Sequence, residues 1–212
     1  LARQNISRRL TKLVRYELLG WRIICPLAGG RLSVYSVTPK ALEVVRERYP
    51  FRIVKDFCKS DSVEHDVQLV EVRKRLQSLP SVAGYHTENM LQACEDFASK
   101  DSTAAFVKNN TDAALEVRKN GKITVVGLEF ERSEKEFDRY AKKLLSYYSD
   151  PRTAVIFYVC RNVAIQKLLA RAEASVMGSD RPRCFYAQLD DVLLPKGKCT
   201  FTNLKGATIT LD

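Results

Sequence analysis

Residues 153–160, TAVIFYVC, make a nearly unbroken apolar run between two stretches of helical periodicity. A strand this apolar must be covered on both faces, and helices before and after it are what cover such a strand. The leading helix is EKEFDRYAKKLLSYY (134–148), stopped by Asp150-Pro151; the trailing one is VAIQKLLARAEASV (163–176). Upstream, a strand DAALEV opens at Asp112, turns at Asn120-Gly121 and returns as ITVVGLEFER. Downstream, FYAQLDDVLL reads as a further strand and turn, and residues 196–212 as edge strands or a hairpin. The expectation is an α/β domain with a mixed central sheet. No internal repeat or low-complexity tract is visible.

Charge divides the chain. Lys and Arg number 35 against 25 Asp and Glu, a net +10. Residues 1–60 hold 13 basic and four acidic residues (+9), and the rest is nearly balanced at +1. A strongly positive segment beside a neutral body implies an anion-binding module joined to something else. Its helix, NISRRLTKLVRYELL (5–19), has Asn5 or Ser7 as cap and Gly20 as stop. Ile6, Leu10, Leu13 or Val14, and Leu18 form its apolar stripe, leaving Arg8, Arg9, Lys12 and Arg15 on the remaining surface. Two short strands follow around Ala28-Gly29-Gly30, carrying Arg22 and Arg31, and then a helix at 39–48 capped by Thr38.

That order, with the phrase SRRLTKLVRYELLGW…GGRLSVYSVTPKALEVV, resembles the latter half of a winged helix-turn-helix. The resemblance implies a helix in the DNA major groove and a hairpin wing on the backbone. It also implies double-stranded DNA as partner, with Arg8, Arg9, Lys12, Arg15, Arg22 and Arg31 as contacts. The leading helices are short or missing, and the chain begins at Leu1 rather than Met, so a truncated N-terminus is expected. Such modules also dock proteins, and Trp21 and Tyr35 would supply the apolar anchor. The domain reading is a winged helix over 1–50, a linker over 51–61 and a second domain over 62–212.

In the second domain, residues 62–77 read as a helix with Val63, Val67, Val70 and Leu76 as core candidates, and Pro80 breaks it. Residues 87–99 suggest another helix capped by Thr87. His65, beside Asp66, is a lone histidine on an amphipathic helix and reads as structural, as does His86. Cysteines 25, 58, 94, 160, 184 and 199 form no CxxC pair and no zinc spacing. They read as buried thiols of a reducing cytoplasm. No apolar run approaches the roughly 20 residues of a membrane helix, and no signal peptide is visible.

The strand at 123–131 carries the chemistry. Its two-residue period puts Ile123, Val125, Gly127, Glu129 and Glu131 on one face, so two carboxylates point the same way. A turn centred near 120 sets Asp112 opposite residues 128–129. Three converging carboxylates repel one another, and a divalent cation such as Mg²⁺, with Mn²⁺ as substitute, would relieve that. Asp112 and Glu129 are the candidate metal ligands, and Lys135, Lys142 and Lys143 are basic groups close by. The plainer alternative is that Glu129 pairs with Arg132 or with a lysine on the neighbouring helix.

Asp112…Glu129-Phe130-Glu131 resembles the restriction-endonuclease-like superfamily, whose motif is Asp, a hairpin, then Glu/Asp-x-Lys. The lysine is replaced here by Glu131, which puts cleavage more in doubt than fold. With VEHDVQLVEVRKRL, TDAALEV, GLEFERSEKEFDRYAKKLLSYY and AVIFYVCRN behind a winged helix, the chain resembles the replication-relaxation family of plasmid and mobile-element proteins. That resemblance implies a DNA-binding accessory or regulator of plasmid replication or mobilisation, acting with other such proteins or as a homodimer. It implies a nuclease-like site of Asp112, Glu129 and Glu131, with Lys143 as basic partner. The rival expectations are an active Mg²⁺-dependent DNA endonuclease and a protein-docking module.

Overall fold

A computed structural model describes residues 2–25, 30–46, 62–195 and 197–212. They divide into two compact units. The first comprises the described residues up to Arg46 together with Ala93–Glu95, and the second holds the rest.

In the first unit α1 (Ala2–Arg15) leads into a hairpin of β1 (Leu19–Ile24) and β2 (Leu32–Val37), followed by α2 (Pro39–Arg46). The strands are antiparallel, with Trp21 opposite Tyr35 and Arg22 opposite Val34. The helix stops five residues before the expected Gly20. Glu17 turns the chain at φ 59°, and Gly20 belongs to β1. There a side chain would crowd Ser36, whose Oγ would lie 2.7 Å from an added Cβ. Thr38 caps α2 through a 3.3 Å bond from the Ala41 amide, and its own hydroxyl donates to the Glu17 carbonyl at 2.6 Å. Ile6, Trp21, Ile23, Val37 and Val44 all remain more than two-fifths exposed. The expected turn at 28–30 falls partly outside the described residues, and the expected linker and Cys58 fall wholly outside them.

The second unit runs α3 (Val63–Gln77), β3 (Val82–Thr87), α4 (Glu88–Ala93), α5 (Glu95–Ser99), α6 (Asp101–Lys108), β4 (Ala113–Lys119), β5 (Lys122–Glu131), α7 (Phe137–Tyr148), β6 (Ile156–Cys160), α8 (Val163–Met177), β7 (Cys184–Gln188), α9 (Leu189–Leu193), β8 (Cys199–Thr202) and β9 (Thr208–Leu211). Its seven strands lie in chain order in one mixed sheet. β3, β4 and β5 are antiparallel, β5, β6 and β7 are parallel, and β8 and β9 return antiparallel at the edge. Helices α7 and α8 connect the parallel strands, as such connections require. The sheet is packed on both faces. Val72 and Leu76 of α3 and Val192 of α9 meet Leu115, Leu128, Phe130 and Phe157 on one side. Tyr140 and Leu144 of α7 and Ile165 and Leu169 of α8 meet Ala114, Ile156 and Tyr158 on the other. Every residue of β6 is buried, as its composition demanded.

The expected hairpin over 112–131 is present as β4 and β5, the expected strand at 153–160 as the shorter β6, and the expected edge strands within 196–212 as β8 and β9. Asn120 and Gly121 take φ values of 51° and 74°, the paired positive angles of a two-residue hairpin turn. Other expectations are corrected. Residues 82–87 form a strand that Ala83 and Gly84, poor β-formers, conceal in the sequence. The helix at 87–99 is broken around Cys94, and α6 follows it. Of FYAQLDDVLL, the expected strand is present as β7, but the residues after it form the helix α9 rather than a turn. Of the described cysteines, Cys160, Cys184 and Cys199 are buried, but Cys94 is half-buried and Cys25 exposed, contrary to the expectation of buried thiols. Among the described residues no helix is long and apolar enough to cross a membrane.

Candidate functional site

Strand alternation decides the site. Val126, Leu128 and Phe130 face α3, so Glu129 and Glu131 face α7. Ala113 pairs with Leu128, and one further step of that register sets Asp112 opposite Glu129. Asp112 is pinned there by the Phe130 amide, which donates to its Oδ2 at 2.7 Å.

Glu129 is 2% exposed. The Lys143 ammonium donates to its Oε2 at 2.7 Å, and the Tyr147 hydroxyl donates to its Oε1 in a short bond. Tyr147 also exchanges a 2.6 Å bond with Thr111. Burial pushes the Glu129 carboxyl up to about 7, against the pull of Lys143. Burial works against the charge of Lys143, but Glu129, with Asp112 and Glu131, more than offsets it and its pKa rises. Lys143 sits one turn before Tyr147 on α7, so one helix face delivers both groups.

Glu131, also 2% exposed, pairs with Lys135, whose Nζ lies 2.8 Å from Oε1 and 2.7 Å from Oε2. Lys135 precedes α7, because that helix starts at Phe137 and not at the expected 134. Arg132 takes Glu64 as partner in a short ion pair.

His65 is the residue that sequence reasoning undervalued. The cap at Ser62 starts α3 so that the ring reaches back to the sheet. Its Nε2 is 3.2 Å from the Phe130 carbonyl and 3.7 Å from Asp112 Oδ2. Its Nδ1 is 3.6 Å from Asp66. The two acids, Asp112 foremost, raise its pKa to about 10. His65–Asp66 was the only signal in the chain for this contact. Glu88 had no signal at all. Its amide donates to the Asp112 carbonyl at 2.8 Å, and burial followed by Asp112 raises its carboxyl pKa, with Lys143 opposing.

These acids do not fit a metal ion as they stand. Both oxygens of Glu129 and both of Glu131 are held by donors of the chain, and Asp112 Oδ2 is held by an amide. Among the described residues no three of His, Cys, Asp and Glu gather as ligands. The repulsion that argued for Mg²⁺ is met by Lys143, Lys135 and His65.

In the first unit, Arg8, Arg9, Lys12, Arg15 and Tyr16 line one groove of about 930 Å³ on the surface of α1. All four cations are exposed, and α1 contains no acidic residue. Lys12 lies 5.8 Å from the centre of the Tyr16 ring. Arg22 and Arg31 are exposed on the hairpin, outside that groove.

Comparison with known proteins gives no match: no family model, no curated protein and no solved structure matches this chain.

Proposed function

We propose that this protein binds double-stranded DNA through α1, and that its second unit is a nuclease-like frame that does not cut. The role is that of an accessory or regulator in plasmid replication or mobilisation, as the resemblance to the replication-relaxation family implies. The observation that carries the DNA reading is the acid-free face of α1, where four exposed cations share one groove. Phosphates spaced along a duplex are the partner such a row of positive charge fits, and counterion release would drive binding. The helix–hairpin–helix order, with Arg22 and Arg31 on the hairpin, supports a winged-helix mode. The replacement of the motif lysine by Glu131, itself closed off by Lys135, supports loss of cleavage.

The test is duplex retention on a filter across a salt series, together with nicking of supercoiled plasmid in Mg²⁺ or Mn²⁺. Binding that weakens steeply with salt, without nicking, is expected. Salt-independent binding would refute the DNA reading. Nicking abolished by Glu129→Gln would make the protein an endonuclease.

The endonuclease reading keeps one observation in its favour. Lys143 reaches Glu129 from the following helix, where a migrated motif lysine would stand.

A further inference from the structure

Four acids around the sheet end interact with Lys143, although Glu131 is held by Lys135 and Asp112 lies beside His65. Lys143 binds Glu129 directly at 2.7 Å, and Glu88, Asp112 and Glu131 all act on it or feel it electrostatically. Its side chain is 29% exposed while Glu129 is 2% exposed, so the ammonium closes the buried carboxylate from the solvent side. A polar group is left over beside this pair. Tyr158 stands level with Glu129 on the adjacent strand β6, is 1% exposed, and its hydroxyl has no hydrogen-bond partner among the described residues. Glu129 is the foremost charge acting on that hydroxyl. The surroundings are therefore polar beyond what the lysine uses.

We propose that Lys143 is a built-in replacement for a divalent cation: it holds Glu129 opposite Asp112, and it keeps metal out of the native protein. The inference rests on reading the second unit as a nuclease-like frame, and it goes further by assigning the metal's electrostatic role to a side chain. Two positive charges of a small ion are exchanged for one ammonium on α7 plus the His65 ring against Asp112. A site so filled needs no metal to fold. Removing the ammonium would leave Glu129 without a counter-charge opposite Asp112, a pair of carboxylates for which Mn²⁺ is a suitable hard ion.

The experiment compares the full chain with Lys143→Met, Lys143→Gln and Lys143→Arg. Thermal unfolding is followed with and without MnCl₂, and Mn²⁺ uptake is counted by electron paramagnetic resonance. Wild type and Lys143→Arg are expected to keep the same Tm with and without Mn²⁺. Lys143→Met and Lys143→Gln are expected to melt lower and to regain roughly 4 °C once Mn²⁺ is about tenfold above its Kd. Adding Glu129→Gln to either should abolish that gain. A purely structural lysine would lower Tm without creating a metal response, and that result would overturn the proposal. Mn²⁺ uptake by wild type that is lost in Glu129→Gln would overturn it as well, and this measurement stands even if both neutral variants fail to fold. Failure of DNA retention through α1 is a separate result, which would refute the DNA reading and leave this one intact.

Discussion

Lys143 Nζ and Glu129 Oε2 meet at 2.7 Å, although 14 residues and the β5–α7 connection separate them in the chain. The carboxylate is buried and the lysine reaches solvent, so the two partners respond differently to loss of the other. Removal of Lys143 strands a charge with no access to water. Removal of Glu129 leaves an ammonium that can turn outward.

Lys143→Ala is therefore expected to destabilise by about 3 kcal/mol at pH 8. The cost should shrink towards pH 5, because burial already raises the Glu129 carboxyl to about 7 and an unpaired acid would be raised further. A folded-state pKa above the unfolded one favours folding at low pH and loses that benefit as pH rises through the folded value. Urea unfolding of both proteins at the two pH values checks this; an equal loss at both would refute it.

His65 should give a second pH signature. Its pKa is about 10 in the fold against 6.5 unfolded, held up first by Asp112. The stability it contributes is complete below about pH 6.5 and fades as pH approaches 10. His65→Gln keeps a donor for the Phe130 carbonyl but does not titrate. Its Tm is expected to vary less between pH 7 and 10 than the wild-type Tm does, and parallel curves would count against the contact.

On α1, neutralising Arg8, Arg9 or Lys12 singly should weaken duplex binding for every sequence tested. Each change should also reduce the slope of log K against log salt by about 1. Fluorescence anisotropy over a salt series measures both effects. A changed affinity with an unchanged slope would mean that the residue touches no phosphate.

Gly127 offers a test of packing behind the site. An added Cβ would lie 2.9 Å from Phe106 and 3.0 Å from Ile156, both buried. Gly127→Ala is expected to cost about 1–3 kcal/mol by overpacking. It should leave DNA binding by α1 intact, and denaturant titration beside the anisotropy assay separates the two.

Much of the second unit was legible from local pattern. The Asn-Gly turn fixed the β4–β5 register, and that register alone set Asp112 opposite Glu129. The apolar run at 156–160 announced a covered strand, and two-residue alternation placed Glu129 and Glu131 on one face. The strand at 82–87 stayed hidden because Ala83 and Gly84 are poor β-formers and its pairing partner lies some 30 positions away.

What only the tertiary structure decided was the partner of each acid. Period and register reach across a hairpin, and so they place the carboxylates. Nothing local says whether Glu129 meets a metal, Arg132 or Lys143, or that His65 arrives beside Asp112 from a helix 47 positions earlier. Those meetings depend on how α3 and α7 pack against opposite faces of the sheet, and that packing is set by buried apolar contacts distributed over the whole unit.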